Sequence, residues 1–166
     1  MIQVQLLMCV ETAIVDQRKN NLSLINVFED MNVSGFPFIL PSVCIVGVFT
    51  REQGDPASKD LEFDLKVGEQ VLIRRPFKVG FTENNSTRTI IEVNGVAISK
   101  PARVVASLYD EGKVISSYGF SVQVLPEHLL SMFEGPSLVR MERGAEKGSE
   151  APAAKMMPAK KVSRAK

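Results

Sequence analysis

Acid–base chemistry in this 166-residue chain would depend on one histidine and a few carboxylates. His128 is the only histidine, and a general base needs one group to orient it and a nucleophile within reach. Its neighbour Glu127 would point in another direction if both residues were helical. We therefore interpret His128 as a surface residue and predict no catalytic residues.

Glu11 and Glu29 are two further candidate carboxylates, because each interrupts an apolar strand pattern. Glu11 is expected to form an ion pair across the sheet, in a structural role; its candidate partners are Arg74, Arg75, Arg88 and Arg103. The alternative hypothesis is a pocket assembled from Glu11, Glu29 and these arginines. A pocket carboxylate with a perturbed pKa would favour that alternative.

Metal sites and cofactors are not predicted. A zinc site needs about four ligands, and the chain has one histidine and no Cys-x-x-Cys pair. Calcium could use clustered carboxylates, but Glu62 and Asp64 are predicted to face solvent from one strand. Cys9 and Cys44 lie in apolar runs, so we expect buried, reduced thiols. A disulfide between neighbouring strands is the alternative.

Positive charge is concentrated in two places. Arg74, Arg75 and Lys78 surround Pro76 in the body of the chain, and cations on an edge strand prevent sheets from sticking together. The alternative is a contact surface for an anion or an acidic partner. Residues 144–166 carry a net charge of about +4, which leaves about −3 for residues 1–143.

The basic tail has two interpretations. Its cations could make salt-sensitive contacts with nucleic acid or another anionic surface; they are Lys155, Lys160, Lys161, Arg164 and Lys166. Because Ala and Pro dilute these charges, we favour a solubilising terminus. The mildly acidic body lacks the concentrated basic face of a nucleic-acid-binding domain.

The elements that would position these residues are β-strands. About eight apolar segments recur at intervals of 8–15 residues with turn residues between them, which is typical of an antiparallel sandwich. Residues 60–67 alternate most regularly, with Leu61, Phe63 and Leu65 on one face. Glu111-Gly112 separates two alternating runs and predicts a hairpin. Pro76 predicts an edge strand or a break in the strand.

Residues 22–41 are predicted to form the centre of this fold. Between Leu24 and Phe28, apolar side chains lie on both faces of the predicted strand, and Asn26 is the one polar residue. A strand of that kind belongs inside a sheet that is covered on both sides. Residues 42–50 are apolar on both faces as well and predict a second central strand. The expected fold is therefore an all-β, antiparallel sandwich of the immunoglobulin or fibronectin type.

The chain is expected to form one domain followed by a tail. Pro126 at a helix start and Gly135 at its end predict a short helix over 126–134, which closes a sandwich domain over 1–135. Residues 136–166 are predicted to be a flexible tail, because Ala, Pro and Lys bury too little surface to fold.

Several core and turn segments resemble a family of uncharacterised small bacterial proteins. The resemblance rests on Cys9–Ala13, Leu24–Asp30, Phe36-Pro37 with Pro41, and the closing hairpin Leu108–Val124. It covers roughly residues 5–125 and implies a β-sandwich of unknown function, without any catalytic residue. Members usually have a glycine in the first turn, where this chain has Asn20-Asn21.

We expect a non-enzymatic module for binding or assembly, with an unknown protein partner or self-association through open sheet edges. The alternative is a small-ligand-binding protein or an enzyme with a site built from scattered residues. A weaker alternative is nucleic-acid contact through the tail. Met1–Met8 lacks the basic start of a signal peptide, and no run approaches the roughly 20 apolar residues of a membrane span. The predicted location is cytoplasmic.

Overall fold

The computed structural model describes residues 2–16 and 18–126, and all regular elements in this part of the chain are strands. Nine strands follow one another: β1 (Gln3–Asp16), β2 (Asn21–Val27), β3 (Asp30–Val33), β4 (Phe38–Thr50), β5 (Ser58–Val67), β6 (Gln70–Gly80), β7 (Ser86–Ile98), β8 (Ala102–Asp110) and β9 (Lys113–Val124). The all-β prediction is confirmed for these residues.

The strands form two sheets that share one hydrophobic core. Sheet A has the order β2-β1-β4-β7, and sheet B has the order β3-β9-β8-β5-β6. The core combines side chains from both sheets, among them Ile45 and Phe49 of sheet A and Leu65, Leu108 and Phe120 of sheet B. All pairs are antiparallel except β3–β9, which is parallel, so the expectation of a purely antiparallel arrangement was wrong at that edge.

Local patterns account well for β5, β8 and β9. Leu61, Phe63 and Leu65 are buried at alternate positions of β5, as the alternation predicts. Glu111 and Gly112 connect β8 to β9 with positive φ angles of 49° and 79°. Two successive positive φ angles are those of a type I′ hairpin turn, so the predicted hairpin is confirmed. The predicted edge position of β6 is confirmed as well.

The prediction that residues 22–41 form a central strand was wrong. They are divided among β2, which is an edge of sheet A, β3, which is an edge of sheet B, and the start of β4. Leu24 packs against Val10, Cys44 and Val46 rather than against the shared core, whereas Ile25 and Val27 are exposed. The apolar residues on both faces therefore do not mark a buried strand. The second predicted central strand is confirmed, since β4 lies between β1 and β7.

The strands of the β1–β2 hairpin belong to sheet A, and the part of the hairpin near its tip lies over the outer face of that sheet. Val10, Cys44 and Val46 are buried on that face, away from the shared core, and side chains from both hairpin strands pack against them: Ala13, Leu22 and Leu24. At the hairpin tip, Asn20 adopts a positive φ of 55°, a conformation that asparagine tolerates better than most residues. Asn20 thus supports the turn in which the resembling proteins usually have glycine.

The two cysteines are buried and unpaired, which confirms the predicted reduced thiols. Cys9 belongs to the shared core, whereas Cys44 belongs to the cluster on the opposite face of sheet A. Their side chains therefore point to opposite sides of the sheet, although Cys9 pairs with Ile45, the residue next to Cys44. This geometry excludes a disulfide between them.

Burial raises the pKa of Cys9 from 9.0 to about 12 and also raises the pKa of Cys44. We expect neither thiol to react with a soluble disulfide reagent until the protein unfolds, because the reactive thiolate is suppressed and inaccessible. The Cys9 thiol ionises at a lower pH in the unfolded chain than in the folded protein. The free energy of unfolding should therefore fall as the pH rises from 9 towards 12. The Cys9→Ala variant should weaken that pH dependence in urea unfolding. Rapid labelling of native Cys9 at pH 8 would contradict the expectation.

The predicted helix over 126–134, except for its first residue Pro126, lies outside the described residues, and so does the predicted tail over 136–166. Those expectations and the domain boundary at 135 therefore remain predictions. In the part of the chain that the structure describes, no helix is long and apolar enough to cross a membrane.

Candidate functional site

The cations predicted as a contact surface do not share one face of β6. In the register of β5 and β6, Arg74 pairs with Asp64 and Lys78 with Asp60, whereas Arg75 pairs with the core residue Phe63. Arg74 and Lys78 therefore lie on the outer face of sheet B, and Arg75 lies on the other side of the strand. Each outer cation stands opposite a carboxylate, which lowers the positive potential that an anion would meet.

Arg74 is engaged by neighbouring side chains. Its Nη2 and Nε donate to Glu62 Oε2 at 2.9 and 3.3 Å, and its guanidinium lies 4.8 Å from the centre of the Tyr109 ring. The hydrogen bonds and charge of Glu62 raise the pKa of Arg74. The prediction of anion contact at Arg74, Arg75 and Lys78 remains untested, but Arg74 already has an anionic partner.

A buried carboxylate lies under this group. Asp64 was predicted to face solvent, yet it is 0% exposed, and that prediction was wrong. It does lie on the outer face of sheet B, where Tyr109 donates a hydrogen bond to Asp64 Oδ2 at 2.7 Å and Lys66 Nζ lies 3.4 Å from the same oxygen. The large neighbouring side chains cover it. We refer to Glu62, Asp64, Lys66, Arg74 and Tyr109 as the Asp64 cluster.

The Asp64 cluster resembles a structural network more than a catalytic one. Hydrogen bonding to Tyr109 and the charge of Asp64 raise the pKa of Lys66, which keeps this ammonium charged rather than making it a base. Within residues 2–16 and 18–126, no three histidine, cysteine or acidic side chains are grouped so that they could hold a metal ion.

The carboxylates proposed for a scattered pocket are both exposed. Glu11 Oε2 accepts a hydrogen bond from Asn26 Nδ2 at 2.5 Å on the neighbouring strand. Of the arginines considered as its partners, Arg74 binds Glu62, Arg88 binds Asn20 and Arg103 binds the Gly119 carbonyl. Glu11 and Glu29 therefore do not form a buried pocket with these arginines.

His128 and the tail cations lie outside the described residues; those cations are Lys155, Lys160, Lys161, Arg164 and Lys166. Their predicted roles stay predictions.

The outer face of sheet A has an open cleft of about 960 Å³, lined mostly by residues other than those discussed above. We call it the hairpin cleft. Its walls are the tip of the β1–β2 hairpin, the end of β4, the segment before β7 and the first residues of β7. The described residues that line it are Asn20, Leu22, Val48, Thr50, Arg51, Thr82, Asn84, Asn85, Ser86, Thr87 and Arg88.

The floor of the hairpin cleft follows from strand register. Val48 pairs with Arg88 and Thr50 with Ser86 across β4 and β7, so these four side chains lie on one face. They share that face with Val46, whose side chain is covered by the hairpin. Because a folded β-ladder fixes their spacing, this floor is preorganised.

Arg88 connects the floor to the hairpin tip. Its Nη2 donates to the Asn20 backbone carbonyl at 2.9 Å and also to the Asn20 side-chain oxygen. The αL conformation of Asn20 presents both acceptors to the same guanidinium. One wall of the cleft is thus held by a contact between residues 68 positions apart in the sequence.

Arg51 is the second arginine of the lining and follows the end of β4. Its backbone N donates to the Asn85 carbonyl at 2.9 Å, and its Nη2 donates to the Thr82 carbonyl at 3.2 Å. Its guanidinium lies 5.2 Å from the centre of the buried Phe81 ring, a cation–π distance. The Nε of Arg51 is buried and has no hydrogen-bond partner among the described residues.

The chemistry of the lining suits binding better than proton transfer. The described lining residues combine amides, hydroxyls and two guanidinium groups, with no histidine, cysteine or carboxylate. Amides and hydroxyls donate and accept hydrogen bonds, and arginine stays charged at any physiological pH. The cleft can therefore orient a polar ligand, but its described lining has no group that titrates near neutral pH.

The sequence does not predict this cleft. It places Asn20-Asn21 in a turn and indicates Arg88 only as a partner for Glu11. The repeated Asn, Thr and Ser residues over 82–87 were a signal of polar lining. However, nothing local connects them with Asn20 or Arg51.

Comparisons with known proteins identify a family but not an activity. A family described as a family of unknown function, DUF6941, matches residues 5–123. No curated protein matches the chain. Among solved structures, Pseudomonas fluorescens alkylpurine DNA glycosylase AlkC, bound to DNA containing an abasic site analog, is similar at 12% identity with a TM-score of 0.44. The match covers 74% of this chain and 30% of the glycosylase chain.

Proposed function

We propose that this chain, which belongs to the family of unknown function DUF6941, is a non-enzymatic binding module whose ligand occupies the hairpin cleft. The single observation that carries the proposal is the composition of the cleft. Its described lining offers many hydrogen-bonding groups and no residue suited to act as a general base or nucleophile near neutral pH.

The size and support of the cleft favour the same function. Small-molecule sites have volumes of about 300–1,000 Å³, and the hairpin cleft has about 960 Å³. Its floor lies on paired strands, and the Arg88–Asn20 contact holds one wall. A site whose polar groups are already held in place loses less conformational entropy when a ligand binds.

The test combines a ligand screen with a blocked cleft. We expect a thermal-shift screen of neutral and anionic polar metabolites to find a stabilising ligand, since a ligand that binds only the folded state raises its stability. Ser86→Trp should abolish that shift, because the indole would project from the cleft floor.

The matched control is Ser117→Trp, which places the same side chain at an exposed serine on the outer face of sheet B. It should leave the ligand-induced shift unchanged. A ligand that stabilises both variants equally binds elsewhere and would contradict the cleft as the site.

Self-association is a second candidate, and the edges of the sheets favour one strand for it. The edge strand β6 carries charged residues and Pro76, which discourage strand pairing, and β3 has only four residues. Of the two edges of sheet A, β7 exposes Ile90 as its one large hydrophobic side chain among the described residues, whereas the shorter β2 exposes both Ile25 and Val27. We propose that two copies of the chain can associate through β2. Light scattering should show a dimer that Ile25→Lys dissociates, and a monomer at high concentration would contradict the proposal.

We also propose a fold of the immunoglobulin type and a cytoplasmic location in bacteria. The neighbours β1-β4-β7 and β9-β8-β5-β6 correspond to the strand orders A-B-E and G-F-C-C′ of variable-type immunoglobulin sheets. Unpaired thiols, as at Cys9 and Cys44, are typical of reducing compartments.

A further inference from the structure

We propose that the ligand of the hairpin cleft is a sugar phosphate, with its phosphate bound by Arg51 and Arg88 and its hydroxyl groups bound by the amides and hydroxyls of the lining. This inference rests on the proposed function, because it names the chemical class of the ligand for the same site.

The charge of the hairpin cleft favours an anion. Arg51 and Arg88 both line it, and no carboxylate does so among the described residues. The ion pairs within residues 2–16 and 18–126 involve Lys59, Lys66 and Arg74, so neither cleft arginine takes part in one of them. Hydrogen bonds and, to a smaller extent, the charge of Arg51 lower the pKa of Asp55, but that carboxylate does not line the cleft. An anionic ligand would therefore meet two cations in the lining and no carboxylate beside them there.

The two guanidinium groups are also held in position. Arg51 is fixed by the Thr82 carbonyl and the Phe81 ring, and Arg88 is fixed by both acceptors of Asn20. Arginine binds phosphate through two parallel N–H groups, and a fixed side chain loses little entropy when it does so.

The remainder of the lining favours a sugar over a nucleobase. Amide and hydroxyl side chains come from Asn20, Asn84 and Asn85 and from Thr50, Thr82, Ser86 and Thr87. Each both donates and accepts hydrogen bonds, which matches the hydroxyl groups of a sugar. No aromatic ring belongs to the described lining, whereas unpaired bases are usually recognised by stacking on aromatic side chains.

The experiment is a titration of the ¹⁵N-labelled full chain, followed by NMR, with four separate probes: glucose 6-phosphate, glucuronate, glucose and inorganic phosphate. Glucose 6-phosphate should shift the amide signals of residues 50–51 and 82–88 and bind about tenfold more tightly than glucose or phosphate alone. Added salt should weaken its binding, since partly exposed charges are screened. Glucuronate tests whether a carboxylate replaces the phosphate.

Variants identify the anion-binding groups. Arg51→Gln should weaken glucose 6-phosphate binding about tenfold or more, while Arg51→Lys should retain part of the affinity. Arg75→Gln is the matched control, because it removes an exposed cation from β6, a strand that does not contribute to the described lining of the cleft, and should leave affinity unchanged. Thermal unfolding of each variant establishes that it is folded.

Each outcome separates the inference from the function on which it rests. Shifts in the cleft with glucose equal to those with glucose 6-phosphate would overturn the anion assignment and leave the cleft as a binding site. Tighter binding of glucuronate would overturn the choice of phosphate. Shifts confined to β6, or no shift up to about 10 mM ligand, a concentration that detects even millimolar affinity, would overturn the sugar phosphate. The Ser86→Trp screen would then decide separately whether the cleft binds any ligand.

Discussion

Replacement of Phe120 by alanine is expected to lower the free energy of unfolding by about 3–5 kcal/mol, the usual cost of truncating a buried phenylalanine. Phe120 lies on β9 between β3 and β8 and is 1% exposed. Its ring centre is 4.9 Å from that of Phe28, so the cavity would also remove an aromatic contact across the core. Urea unfolding of the full chain measures the change.

The control for this substitution is Val114→Ala on the same strand. Val114 pairs with Tyr109 on the outer face and is 59% exposed, so we expect a change within about 0.5 kcal/mol. Equal losses in the two variants would contradict the described burial of β9.

These two residues also show what alternation in a sequence can predict. The pattern of β9 correctly places Phe120 and Val122 on the core face. The same alternation predicts Val114 and Val124 on that face, and both are exposed. A register shift between Leu108 and Tyr109 pairs Val114 with Tyr109 of the outer face. Alternation reports the face of a strand, because successive side chains point to opposite sides. Burial depends also on whether the opposite sheet covers that part of the strand, and no local pattern contains that information.

The same limit explains the error over residues 22–41. A strand with apolar residues on both faces is buried when two layers cover it. In β2 one face packs on the outer face of sheet A and the other is exposed at Ile25. Two arrangements bring together residues that are distant in the sequence. The tip of the β1–β2 hairpin lies over β4, and β3 pairs in parallel with β9. Turns such as Glu111-Gly112 were predictable because they are local.

The candidate site was hard to predict for a related reason. The local density of positive charge in the sequence indicates Arg74, Arg75 and Lys78 as a candidate contact surface for an anion. The register places carboxylates opposite Arg74 and Lys78, so that density largely cancels. Arg51 and Arg88 are isolated in the sequence, yet both line one cleft. A binding site depends on the charges that remain unpaired after folding, and strand pairing determines which those are.

Asp64 provides the second large effect that we expect. Tyr109→Phe should lower the free energy of unfolding by about 1.5–3 kcal/mol, because it removes a hydrogen bond to a charged acceptor. The acceptor is fully buried, and its other oxygen, Oδ1, has no hydrogen-bond partner among the described residues. The variant therefore leaves the carboxylate with the nearby Lys66 ammonium as its main compensation.

The chain offers a matched control in its other tyrosine. Tyr118 donates to the Phe28 carbonyl at 2.7 Å, the same distance as the Tyr109–Asp64 hydrogen bond. Its acceptor is neutral, so Tyr118→Phe should cost only about 0.5–1.5 kcal/mol. In the Tyr109→Phe background, Asp64→Leu should cost less than in the wild type, since it removes the acceptor that was left without its donor. A larger loss for Tyr118→Phe than for Tyr109→Phe, or strictly additive losses for Tyr109 and Asp64, would show that the buried carboxylate does not depend on Tyr109.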